Sequence, residues 1–148
     1  MNIELTISVE EVQQTCKELG IRDWTKLTEE VVTLDEAKRI QEIVGSEALL
    51  ISPEEFKQGL EVELEHGLVF PDANVTNNHP ILTGKIVLAH LKEMLDYYYR
   101  LEVAELEGDI FKAYQVGNPE KLAKKYEQAM AAKSALVNHE KISVSSAE

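Results

Sequence analysis

A mainly α-helical fold, a small bundle centred on an antiparallel pair of helices at about residues 54–66 and 80–107, is predicted by three observations. Three helix-start signatures recur, each a hydroxyl residue followed three positions later by glutamate: Ser8…Glu11, Thr33…Glu36 and Ser52…Glu55. Each is followed by apolar residues at helical spacing and then by a glycine, at 20, 45 and 67. From Pro80 to Glu107 there is no proline, and apolar residues recur with helical period.

Taken in order, the first signature opens a helix over about Val9–Leu19 that Gly20 ends. The second opens a short amphipathic helix carrying Ala37, Ile40, Ile43 and Val44, with Gly45 as its stop. Residues 3–7, 31–34 and 48–51 are brief aliphatic runs that read as either short β elements or buried coil, because periodicity does not separate the two at this length. Ser52-Pro53-Glu54-Glu55 is the clearest start, since proline lacks only an N–H that the first helical position does not use. That helix is expected to reach His66, with Gly67 as a left-handed stop. A loop rich in Pro, Asp and Asn leads to His79-Pro80 and the long helix, which Gly108 is expected to break or bend. Gly117-Asn118-Pro119 reads as a hinge, and residues 120–138 as a last helix with Leu122, Tyr126, Ala129, Leu136 and Val137 inward. The predicted core is Phe56, Leu60, Leu64, Leu88, Leu91, Leu95, Tyr98 and Leu106.

With 148 residues and 44% hydrophobic content, the chain is long enough for a real core. Against 27 acidic residues stand 15 Lys and Arg, a net charge of −12. Nucleic acid and anionic membrane surfaces are thereby excluded as expected partners, since both are held by cationic side chains. The charge is uneven: residues 119–148 carry five Lys against four Glu, so residues 1–118 hold −13. The organisation read from this is an acidic helical domain at 1–118 followed by a C-terminal helix and frayed tail at 119–148. One cysteine, Cys16, forms no internal disulfide. No run approaches the roughly 18 apolar residues of a membrane span, and the acidic N-terminal stretch lacks the basic and apolar parts of a secretory signal. A cytoplasmic setting is expected, which makes the sequon Asn74-Val75-Thr76 a chance match.

Helical projection separates carboxylates on apolar faces from those that solvate the surface. On the 54–66 helix Glu63 stands beside Phe56 and Gly59, while Glu61 and Glu65 point away. His66 follows Glu63 by three, the relation used in carboxylate-bridged di-metal bundles. On the long helix Glu102 falls within the row Gly84, Leu88, Leu91, Leu95, Tyr98 and Leu106, and His90 and Glu93 share a second face with Ile86 and Tyr97. Glu63, His66 and Glu102, then His90 and Glu93, are accordingly the candidate ligands for a divalent transition metal such as iron, manganese or zinc. The full di-metal set of two Glu-x-x-His pairs and two further glutamates is not present. Two other readings stand beside the metal. In one, Glu63 and Glu102 meet Arg100, Lys85, a tyrosine hydroxyl or backbone donors, and His66 faces the negative end of its helix; in the other they do acid–base chemistry.

Asp72, Asn74, Thr76 and Asn78 alternate like calcium-loop oxygens, but Asn77 stands where that loop needs glycine and Thr83 where it needs glutamate, so an Asx-rich turn is expected. Tyr97-Tyr98-Tyr99 spans most of a helix circumference. Tyr98 is expected inside, and Tyr97 and Tyr99 on another protein chain. No nucleophile elbow, catalytic cysteine pairing or phosphate loop occurs, and a non-enzymatic role is expected.

The run Glu55-Phe56-Lys57-Gln58-Gly59-Leu60-Glu61-Val62-Glu63-Leu64-Glu65-His66-Gly67, then Asn74-Val75-Thr76-Asn77, Pro80-Ile81-Leu82-Thr83-Gly84-Lys85-Ile86, Ala89-His90-Leu91 and Asp96-Tyr97-Tyr98, resembles an uncharacterised small domain family of bacteria and tailed bacteriophages. The similarity covers about residues 54–107, and residues 9–24 resemble that family's leading helix. His79 stands where the family tends to have Asp, which exchanges a good helix cap for a poorer one. Residues of about 28–51 look like an insertion, and residues 108–148 lie beyond the motif. The resemblance implies no activity. It implies a structural or protein-interaction module, in a bacterial cytoplasm or in a phage particle as a virion-associated protein, with a protein partner or self-association; a metal-binding helical protein is the alternative.

Overall fold

Each of the three helix-start signatures makes the bonds that its residues offer. Ser8 Oγ accepts from the Glu11 N–H at 3.1 Å. Thr33 and Ser52 accept from the N–H groups of Glu36 and Glu55 at 3.2 Å, and those glutamates return bonds to the cap N–H at 2.8 and 3.3 Å. Two otherwise orphaned donors are thus satisfied at each box.

The computed structural model describes residues 7–45 and 51–145. Among them lie six α-helices and no strand: α1 (Val9–Leu19), α2 (Leu34–Val44), α3 (Pro53–Val69), α4 (Pro80–Glu93), α5 (Tyr97–Gln115) and α6 (Pro119–Ser145), with 3-10 turns at Trp24–Lys26 and Pro71–Ala73. Of the runs read as strand or coil, residues 31–33 are extended coil ahead of α2, and 3–7 and 48–51 fall for most of their length outside the described residues. The chain divides into two compact units, residues 1–92 and 93–148. The change of charge at residue 118 falls inside the second unit.

In the first unit Gly20 takes the left-handed conformation (φ 64°) that ends α1. Trp24, Phe56, Ile40, Leu60, Leu64, Val12 and Val87 form a fully buried interior. α2, within the stretch read as an insertion, supplies Ala37 and Ile40 to that core. α4 closes over it at Gly84, where a Cβ would stand 2.6 Å from Ile40 Cγ2 and 2.9 Å from Val44 Cγ1. Contact that close requires glycine.

α3 does not stop at Gly67 but runs on to Val69. The glycine serves to make room: a side chain there would collide with the Asn78 amide oxygen and crowd Asn74. Asn74 Nδ2 donates to Gly67 O and to Asn78 Oδ1, and Asn77 and Asn78 adopt positive φ, which builds the expected Asx-rich turn. His79 is a working cap. Its Nδ1 accepts from the Leu82 N–H at 3.3 Å and its Nε2 lies 3.1 Å from Thr15 Oγ1, so the neutral ring with the proton on Nε2 joins α4 to α1.

The single helix expected over 80–107 is two helices. α4 ends at Glu93 and α5 starts at Tyr97, although no proline or glycine stands between. Asp96 flanks the start of α5 with its carboxylate held by Arg100 Nη2 at 2.6 Å, a favourable charge for the positive end of a helix. The restart rephases the row. Tyr98 is buried, whereas Leu95, predicted inside, is 62% exposed, and Leu106 is half-buried.

The second unit is an α5–α6 hairpin turned at Gly117 (φ 65°), with Asn118 Oδ1 accepting from the Lys121 N–H and Pro119 opening α6. Gly108 does not break α5, and α6 extends past residue 138 to Ser145.

Candidate functional site

Two places collect the residues singled out by sequence. In the first unit, α3 delivers Glu63 and His66 one turn apart and α4 delivers His90. Glu63 Oε2 lies 3.8 Å from His66 Nδ1, and Glu63 Oε1 lies 3.6 Å from His90 Nε2. Glu63 is 12% exposed at its side chain. It opens on a cavity of about 320 Å³ between α3, the Asx turn and the middle of α4, lined also by His66, Phe70, Asn74, Thr76 and Ile86. Both separations are longer than hydrogen bonds.

The rest of the sequence-derived ligand set is not part of this cluster. Glu93 and Glu102 belong to the second unit and are exposed. Among the described residues no three His, Cys, Asp or Glu are arranged to hold a metal ion.

The strongest electrostatic group of the first unit went unrecognised in the sequence beyond its capping role. Glu36, 3% exposed, accepts from Arg22 Nε at 2.9 Å, Arg22 Nη2 at 2.7 Å, Trp24 Nε1 at 3.3 Å and the Thr33 N–H at 2.8 Å. Burial alone would raise its pKa, but the bonds from Arg22 and Thr33 outweigh it and hold the carboxyl at about 2. With its oxygens so fully engaged, Glu36 is a structural tie. Glu61, expected to point away, likewise accepts from the Val32 N–H at 3.0 Å and from Lys57 at 2.6 Å. Burial pushes the Cys16 thiol up, away from the reactive thiolate.

In the second unit, Tyr97 and Tyr99 are half-buried and turned to neighbours of their own unit. The Tyr97 ring stands edge-on to Tyr98 at 5.2 Å, and Tyr99 lies against His139 at 4.7 Å. The large exposed side chains lie further along the hairpin. Phe111, Tyr114 (72% exposed), Tyr126 (56%), Met130 and Val137 are all outside, with Tyr126 and Val137 contrary to expectation. Among the described residues, the fully enclosed positions of α5 and α6 are Tyr98, Ala113, Ala129 and Ala132.

Ion pairs join the two helices of the hairpin, among them Asp109 with Lys125 at 2.8 Å. Arg100 meets Glu140 at 2.7 Å and Glu107 meets Lys133 at 2.7 Å. On the side that carries Glu107 and Lys133, α5 also places Val103, Ile110 and Tyr114 at helical spacing and α6 places Tyr126, Met130 and Val137. In each helix these residues are spaced by four, three and four (103, 107, 110, 114 and 126, 130, 133, 137), the repeat of a helix-packing seam. That spacing was the signal available in the sequence. A charged residue interrupts each row, Glu107 in one and Lys133 in the other, so neither reads as a continuous apolar stripe.

A family model described as "Protein of unknown function (DUF5661)" matches residues 12–107, and the chain belongs to that family. No curated protein and no solved structure matches the chain.

Proposed function

We propose that this member of the family is a non-enzymatic protein-interaction module that works through the face of the α5–α6 hairpin. One observation carries the reading: among the described residues the second unit encloses, apart from Tyr98, only alanines, and leaves Phe111, Tyr114, Tyr126 and Met130 more than half exposed. Apolar side chains of that size gain free energy only when water is removed from them, and an exposed contiguous row of them is the usual mark of a protein contact. The resemblance to a family met in bacteria and tailed bacteriophages supports a role inside a larger protein assembly, a phage particle included. The carboxylate–histidine metal reading has less behind it, since only Glu63, His66 and His90 of its five residues share a cluster.

The test is a double variant, Tyr114→Ser with Tyr126→Ser. Self-association across a broad concentration series, or a partner retained from the host's lysate, is expected with the parent chain and lost with the variant. A parent chain that stays monomeric and retains nothing overturns the proposal.

A further inference from the structure

Resting on that reading, we infer that the occupant of the hairpin face is a second copy of this chain, the two hairpins closing as an antiparallel four-helix bundle in which α5 of one copy lies on α6 of the other. The packing pattern is the first support. Both helices of the hairpin carry their four-three-four row on the same side, because Glu107 and Lys133, members of the two rows, reach each other at 2.7 Å. A lone pair of helices cannot cover such a face, whereas two hairpins stacked face to face cover both at once, as in up-and-down four-helix bundles.

Charge selects the occupant and its orientation. α5 carries four acidic against two basic residues, a net −2, and α6 carries three against five, a net +2. A two-fold axis along the helices sets each α5 on the partner's α6 and pairs opposite charge twice over; a two-fold axis across the helices would stack α5 on α5 and α6 on α6. The favoured arrangement brings equivalent rungs to one level. Tyr114 and Tyr126 of both copies then form an aromatic layer near the turns, and Glu107 and Lys133 of both copies form a charge-balanced layer that fixes the register, the role polar residues take in helix seams.

Sedimentation equilibrium and light scattering test this with the full chain. A concentration-dependent dimer is expected, and Tyr126→Ser, at a position already exposed, is expected to weaken it by about tenfold or more with helical content unchanged. Glu107→Lys and Lys133→Glu are each expected to be monomeric, having layers of one sign, and to form a mixed dimer when combined. A parent chain that is monomeric throughout overturns the second copy; if it then binds another protein through a contact that Tyr126→Ser abolishes, the interaction reading survives alone. A dimer indifferent to Tyr114→Ser with Tyr126→Ser overturns both. A dimer that the face variant abolishes but whose Glu107→Lys and Lys133→Glu forms do not pair overturns the orientation of α5 on α6.

Discussion

Among the described residues of 1–92, large side chains form the interior: Trp24, Phe56, Leu60 and Leu64 have almost no exposure, and Gly84 lets α4 approach α2 and α3 over them. In residues 93–148 the enclosed positions of the hairpin are one tyrosine and three alanines, while Tyr114, Phe111 and Tyr126 are more than half exposed. Burial of apolar area is the main favourable term in folding, so the large enclosed side chains of the first unit contribute more of it than the enclosed alanines of the second. The polar chemistry differs in the same sense. The first unit buries a fully bonded carboxylate, Glu36; the second sets its charges in half-exposed ion pairs across the hairpin, where each is worth about 0–1 kcal/mol.

The sharpest way to break this contrast is to truncate one large side chain in each unit. Leu60→Ala is expected to cost about 2–5 kcal/mol, the usual price of a cavity in a closed core. Tyr114→Ala, measured by urea unfolding at concentrations where the chain is monomeric, is expected to change stability by no more than about 0.5 kcal/mol. Similar costs at the two sites would erase the difference between the units.

Acid sharpens it next. Burial holds the His79 ring below its ordinary pKa of 6.5, against the opposing pull of Glu11, so the unfolded chain takes up that proton first. The stability contributed by the neutral ring is complete above 6.5 and is lost as pH falls through the histidine range, because protonated Nδ1 no longer accepts from Leu82. Glu36 is depressed from 4.5 to about 2. Its contribution is complete above 4.5 and is lost as pH falls from there towards 2. The urea midpoint of the first unit is expected to drop in these two stages, the upper one absent in His79→Asn, which keeps a capping oxygen, and the lower one absent in Glu36→Gln. A midpoint that is flat between pH 7 and 5 in the parent chain would contradict the role given to His79.

The smallest expected effect is a gain. A Cβ at Gly108 meets nothing within 4 Å, and α5 passes through it unbroken. Gly108→Ala is expected to raise the stability of the hairpin by about 0.5–1 kcal/mol by removing backbone entropy from the unfolded chain. A loss in thermal unfolding would mean that α5 needs flexibility there.

The sequence by itself determined where α1, α2 and α3 begin and where α1 and α2 end. Caps, capping boxes and glycine stops act within one turn, so Ser8, Thr33, Ser52, Gly20 and Gly45 carry the same meaning in the chain and in the fold. It also identified Phe56, Leu60, Leu64 and Tyr98 as interior, and the convergence of Glu63 with His66. Long-range packing decided the rest. The restart of α5 at Tyr97 has no proline or glycine to announce it, and it leaves Leu95 exposed in the connection and undoes the continuous row. Glu36 gains its bonds from Arg22 and Trp24, more than ten residues away, and Glu61 its bond from Val32, in a segment of coil that no helical projection includes. Of the α6 residues read as inward, Ala129 is buried and Leu122 and Leu136 are half-buried, whereas Tyr126 and Val137 lie outside, where only the packing against α5 could place them.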